Sequence, residues 1–231
     1  AKQNIDKKLL VAVHEAGHAI AYSTLFNLIP TQLVASAASE DGSGFMGSHR
    51  IEQTRESSLA TITVLMAGAM AEEIIFGKEY VTSGSHADRH RATQTASVML
   101  RKWGMGDSLS TIASEHMSTA GGFDQLNYNI DDDNDNIENI LRNQKEEARK
   151  ILDNKLDMLQ TLSDKLVKDG KIEPEDYKEI CATFGIEAHV HDTKEIVSHG
   201  YHKEYKKFYG KRNKLFIVPN PKTGLVVLKK E

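Results

Sequence analysis

The residues best suited to chemistry are His14, Glu15 and His18, in the run Val13-His14-Glu15-Ala16-Gly17-His18-Ala19. On a helix, positions i and i+4 share a face, so His14 and His18 present two imidazole nitrogens to one point. Glu15 lies at the edge of that face. From there it reaches a water beside a bound ion without ligating the ion itself. Two imidazoles on a rigid element with a carboxylate base alongside form the arrangement a zinc peptidase uses to hydrolyse amides. The same short pattern also arises by chance, its histidines then being ordinary core or surface residues. The surrounding sequence has to decide between the two.

The motif sits in a stretch with helical periodicity, residues 5–26, with no proline before Pro30. Asn4 or Asp6 suits its N-cap. Gly17 costs such a helix about 1 kcal/mol relative to alanine, which makes sense if another backbone or a ligand approaches closely there. A short strand over 31–37, a turn at 40–44 and a returning strand at 45–49 predict a small sheet next to the motif helix. Phe45 and Met46 are candidate substrate-strand residues, because an exposed edge beside a metal pairs with an extended peptide. An ordinary surface hairpin is the plainer reading.

Residues 57–76 predict a second helix, with an apolar face of Leu59, Ile62, Leu65, Met66, Met70 and Ile74 and a stop at Gly77. Glu72 and Glu73 fall in its last turn, where carboxylates oppose the macrodipole. At least one should therefore have a donor partner, and the far nitrogen of a metal-bound histidine would be such a partner. A loop from Thr82 leads into a third helix over 87–103. Asp88 lies in its first turn, as a plain N-terminal acid or as a third metal ligand. His86 and His90 are rival candidates, although His90 is rotated about 200° from Asp88 on a helix.

Residues 108–136 lack periodicity and read as loops. Their acidic run from Asp131 to Asn136 lacks the glycine and terminal glutamate of a calcium loop. One long amphipathic helix is expected over 137–168, ended by Gly170, then a short helix from Glu173-Pro174 to Phe184. From residue 186 the chain turns basic, with Tyr201, Tyr205 and Phe208 interleaved among lysines. Its β-type runs 215–218 and 225–228 flank a hairpin signal. The predicted fold class is mainly α with a small β-sheet beside the motif helix. The predicted domains are 1–185 and a basic extension, 186–231.

A chain of 231 residues with 39% hydrophobic residues can bury a proper core. A net charge of -4 gives no global signal for nucleic acid, which stays a minor alternative for the basic tail. Cys181 is the single cysteine, so any zinc must be held by His, Asp and Glu, and a reducing compartment fits. The apolar runs 9–28 and 59–76 are interrupted by His14, Glu15, His18, Glu72 and Glu73, which predicts no membrane span.

Taken together, residues 5–184 resemble the proteolytic domain of the FtsH-type AAA zinc metalloproteases. His14-Glu15-Ala16-Gly17-His18-Ala19 resembles that family's zinc motif. Leu65-Met66-Ala67-Gly68-Ala69-Met70-Ala71-Glu72-Glu73 resembles its second helix, with Ala69 where an arginine is usual. Ser83-Gly84-Ser85-His86-Ala87-Asp88 with Ala92-Thr93, and then Trp103-Gly104-Met105, resemble its third block. The resemblance implies Zn2+ held by His14, His18 and Asp88, Glu15 as base, and Glu72 behind a zinc-bound histidine. It places the strand at Phe45 and Met46 beside the substrate cleft. It also implies a zinc endopeptidase acting on unfolded or loosely folded polypeptides, in a hexameric ring beneath an ATPase ring. The sequence contains no glycine-rich lysine loop for nucleotide. The expectation is thus a peptidase without the ATPase module: excised from a longer protein, standing alone, or served by a separate AAA unfoldase. Its expected location is cytoplasmic or on the stroma or matrix side of an organelle, soluble as it stands, with membrane association through a missing part or a partner as the alternative. The alternative is a non-catalytic assembly or adaptor protein with a structural zinc, which would not need Glu15.

Overall fold

The computed structural model describes residues 5–35, 44–106, 130–191, 195–197, 199–210, 215–219 and 226–230. Residues 40–43 of the expected 40–44 turn, residues 108–129 of the expected loop region and most of the 219–224 turn lie outside them. The chain forms two compact units, one up to Ile196 and one from Val197.

The first unit holds α1 (Ile5–Phe26), β1 (Gln32–Val34), β2 (Phe45–Gly47), β3 (Arg50–Ile51), α2 (Arg55–Phe76) and α3 (His86–Arg101). It continues with α4 (Ile130–Asp153), α5 (Leu156–Asp169), β4 (Lys171–Ile172), α6 (Pro174–Thr183) and β5 (Glu195–Ile196). The second unit holds α7 (Tyr201–Gly210) and an antiparallel hairpin of β6 (Leu215–Pro219) and β7 (Val226–Lys230). The mainly helical class with a small sheet is as expected.

α1 is the central element. It packs on α2, α5, α4, β1 and β2, and its middle is buried from Ala12 to Ser23 except at half-buried His14. The helix ends where Asn27 turns into the left-handed region, φ 55, a conformation asparagine tolerates. α2 starts at Arg55, two residues before the expected start, with Thr54 as its N-cap. Thr54 and Ser57 cap it reciprocally, Ser57 N–H donating to Thr54 Oγ1 at 3.0 Å and Thr54 N–H to Ser57 Oγ at 2.8 Å. By length and composition alone α2 could cross a membrane. Here it lies between α1, α3 and α4, with Ile62, Ala67, Met70 and Ala71 in the core.

Among the described residues the sheet has the order β2-β1-β4, both pairings antiparallel, with β2 at an edge. Ala35 N–H donates to Gly170 O at 2.9 Å, so Ala35 and Leu33 turn their backbone groups toward β4. Gln32 and Val34 then bond to Gly47 and Phe45. By the same alternation, the backbone N–H and C=O of Met46 face away from the sheet.

Two expectations need correction. The single helix over 137–168 is two helices, broken at Asn154-Lys155, where Lys155 leaves helical geometry (φ -135, ψ 28) and donates from Nζ to Phe184 O at 3.0 Å. A straight helix from 130 to 169 would run about 60 Å, and both ends could not reach one core. The break lets Ala148 and Leu152 of α4 and Leu159 and Leu162 of α5 reach the same cluster. The acidic run 131–136 is not a loop but the first turns of α4. In addition, residues 186–196 belong by contact to the first unit. His189 N–H donates to Asn27 O at 2.8 Å, and β5 pairs in parallel with β3.

Candidate metal centre and active-site cleft

Three helices meet at one point. α1 supplies His14, Glu15 and His18, α2 supplies Glu72 and the Val64 carbonyl, and the first turn of α3 supplies Asp88. Close approach of α1 and α2 depends on two glycines. A Cβ on Gly17 would lie 2.6 Å from Ala67 O, and one on Gly68 would lie 2.5 Å from His18 Nε2. The crowding anticipated at Gly17 is therefore present, and its counterpart at Gly68 sits directly against the two imidazoles.

The tautomers follow from the partners. His18 Nδ1–H donates to Val64 O at 2.7 Å, and His14 Nδ1–H donates to Glu72 Oε1 at 2.7 Å. Both Nε2 atoms thus carry lone pairs, yet they lie 3.0 Å apart, each 3.3 Å from Asp88 Oδ2. Three electron-pair donors facing one another require a cation, either a proton or a metal. Ligands bound tetrahedrally at about 2.0–2.1 Å stand about 3.3 Å from each other, which is the size of this triangle. Among the described residues this is the one cluster of three such groups. His86 and His90 are exposed and outside it.

The remaining carboxylates are engaged as well. Glu72 is 1% exposed, and its second oxygen accepts from Thr82 N–H at 2.8 Å. Burial would raise its pKa, but the bonds from His14 and Thr82 outweigh it and hold the carboxyl below its ordinary range. Glu73 turns the other way, pairing with Lys145 at 3.0 Å and Arg149 at 2.8 Å on α4. Glu15 is 6% exposed. Burial raises its carboxyl above the ordinary value, helped by Asp88 and opposed by His18 and His14. That makes it a stronger base.

The cluster opens into a cleft of ≈ 780 Å³, whose lining includes His14, Glu15, Asp88, Phe45 and Met46. Gly44 brings β2 down onto Glu15; a Cβ there would lie 2.7 Å from Glu15 Cγ. The structure thus gathers His14, Glu15, His18, Phe45, Met46, Glu72 and Asp88 around one cleft and leaves His86, His90 and Glu73 out of it. Sequence reasoning missed the backbone partners of His18 and Glu72, which leave no trace in residue type. It also missed the clearance at Gly44 and Gly68, whose one signal was the small-residue composition of those stretches.

Without a bound metal, a proton holds the triangle together. Burial alone would lower the His14 pKa, but hydrogen bonds to Asp88 and Glu72 and the charge of Glu15 raise it to about 9. Asp88 is held well below the usual range; burial opposes this, and the two histidines outweigh it. In the chelated protein, His14 therefore contributes stability that is full below about pH 6.5 and is lost as pH rises through about 9. Asp88 contributes stability that is lost as pH falls below its ordinary value. Metal uptake must displace the His14 proton. Calorimetry in buffers of different ionisation enthalpy should show about one proton released at pH 7.5, vanishing above pH 9.

Two imidazoles and a carboxylate on a triangle of metal-ligand size, with a further carboxylate beside it in a peptide-sized cleft, define a metallopeptidase-type centre. Residues 2–180 match peptidase family M41, and the chain belongs to that family. It is similar to the "ATP-dependent zinc metalloprotease FtsH" of Caulobacter vibrioides, 28% identical over 189 residues, covering 77% of this chain and 30% of the relative. The FtsH of Rickettsia bellii is 29% identical, over 77% of this chain and 30% of the relative. "ATP-dependent zinc metalloprotease YME1L" of Drosophila melanogaster is 30% identical, over 74% of this chain and 24% of the relative. The chain thus spans less than a third of the length of these relatives.

Proposed function

We propose that this chain is a zinc endopeptidase unit that hydrolyses peptide bonds in unfolded or loosely folded polypeptides. The observation that carries the reading is the triangle of His14 Nε2, His18 Nε2 and Asp88 Oδ2, with Glu15 beside it in the cleft. These three residues would hold zinc, the metal in the names of the relatives. Zinc bound there supplies Lewis-acid polarisation of the scissile carbonyl and lowers the pKa of a water. Glu15 takes the proton of the attacking water on its carboxylate and returns it to the nitrogen of the leaving amine. Glu72 and the Val64 carbonyl hold the two imidazoles in the tautomer that leaves Nε2 free.

The substrate chain lies along β2 in this reading. Met46 offers a backbone N–H and C=O at the open edge, and an extended peptide adds to it as a further strand. Such pairing needs an unfolded segment, so delivery by an AAA unfoldase, within a hexameric ring, fits the "ATP-dependent" names of the relatives. The site would work on the cytoplasmic side of a membrane or on an organelle's stroma or matrix side.

Asp88→Asn tests the ligand set. It removes the anionic donor and should weaken zinc retention by roughly 100-fold, at or beyond the usual effect of disturbing a ligand's support. His90→Ala should leave retention within about twofold of wild type. Competition with a chromogenic chelator reads both, and the reverse order would move the third ligand to His90.

A further inference from the structure

One polar constellation in the cleft is not used by the chemistry above. Tyr22 lies one turn beyond His18 on the same face of α1 and lines the same cleft. It is 2% exposed. His49 lies between β2 and β3. Its Nε2 faces the His191 carbonyl at 3.3 Å, and a carbonyl only accepts, so Nε2 carries the proton. His49 Nδ1 is then a bare acceptor, and the Tyr22 hydroxyl donates to it at 2.7 Å. The His49 backbone N–H closes the loop by donating to Tyr22 Oη at 3.2 Å. The two rings are parallel within 6°. Burial keeps the phenol protonated well into the basic range, against the opposing His49 N–H bond. Three bonds laid head to tail therefore tie the metal helix, the end of β2 and the 186–191 segment together.

Their place matters because β2 is short. Three residues pair with three on β1, and the strand's height above α1 decides where a peptide bonded to Met46 meets the metal. We propose that Tyr22 and His49 are positioning residues that pin the substrate-pairing edge β2 to the metal helix and so set the register of bound substrate over His14, His18 and Glu15. This rests on reading the site as a peptidase with β2 as its substrate edge. Among the described residues neither side chain hydrogen-bonds to His14, His18 or Asp88, so their effect falls on substrate binding. Losing one such bond weakens binding by about 3- to 10-fold.

The test compares Tyr22→Phe, His49→Leu and His49→Asn. Asparagine places Oδ1 where Nδ1 of histidine stands and can still accept from the Tyr22 hydroxyl. Each is made in the full chain on a Glu15→Gln background, and binding of a fluorescein-labelled unfolded polypeptide is read by anisotropy. Kinetics on the Glu15-intact versions gives KM and kcat separately. Y22F and H49L should keep one equivalent of zinc and raise Kd and KM about 3- to 10-fold, with kcat within about twofold of wild type. H49N should return Kd to within about twofold. Unchanged Kd in Y22F, an H49N as weak as H49L, or metal loss with a matching fall in kcat would overturn the proposal. If the Glu15→Gln protein binds no polypeptide at all, it is the peptidase reading itself that fails. Y22F keeps the buried ring, so folding is preserved in at least one arm.

Discussion

Glu15→Gln should lower kcat by about 10²- to 10⁴-fold, the range expected for losing a general base, while leaving one equivalent of zinc in place. The separation follows from the geometry. The ligand triangle consists of His14, His18 and Asp88, and Glu15 is not part of it. Gln has the same shape, so the close contact with Gly44 survives, but its amide cannot accept and return a proton. KM should change little, because β2 and its edge at Met46 are untouched. Activity on an unfolded protein substrate, read with metal content on the same preparation, checks the result. Wild-type turnover in this variant would remove Glu15 from the mechanism and favour an adaptor with a structural metal.

The second large effect is expected from a single methyl group. In an exposed helix, Gly→Ala stabilises by about 1 kcal/mol. At Gly68 the sign reverses, because the new Cβ would stand 2.5 Å from His18 Nε2, 2.6 Å from His14 Cε1 and 2.7 Å from His14 Nε2. The rings cannot simply swing aside, since His18 is held by the Val64 carbonyl and His14 by Glu72. α2 must then move off α1, which would open the core that Ala16, Ala67, Met70 and Ala71 fill. Gly68→Ala should lose zinc affinity by at least about 100-fold, judged against the 10- to 100-fold of milder disturbances. It should also destabilise the chain by about 1–3 kcal/mol, the usual cost of overpacking. Chelator competition and thermal melting report the two separately. A G68A protein that holds zinc like wild type would show that the imidazoles do not sit where the structure places them.

The parts of the site legible in the sequence were those fixed by local spacing. His14 and His18 are one helical turn apart, and Glu15 follows directly, so the face they share is set by helix geometry. Asp88 could not be placed that way. Its nearness to His18 depends on how α3 docks on α2, and only the resemblance separated it from His86 and His90. Glu72 and Glu73 show the same limit. They are adjacent and identical in type, and which one faces His14 is decided by the rotation of α2 against α1. The errors in the fold arose where periodicity carried on through a break, as from Leu152 to Leu156, or where charge concealed a helix start, as in the acidic run opening α4. The segment 186–196 looked like tail by composition, yet backbone bonds at Asn27, Ile29 and Glu52 hold it to the first unit.

The most direct test of the account is a zinc titration of the chelated wild-type protein at pH 7.5, following cleavage of an unfolded polypeptide. The account predicts no cleavage before addition, a linear rise with zinc, and a break at one equivalent per chain. Cleavage that persists without metal, or zinc uptake to one equivalent with no cleavage, would contradict it.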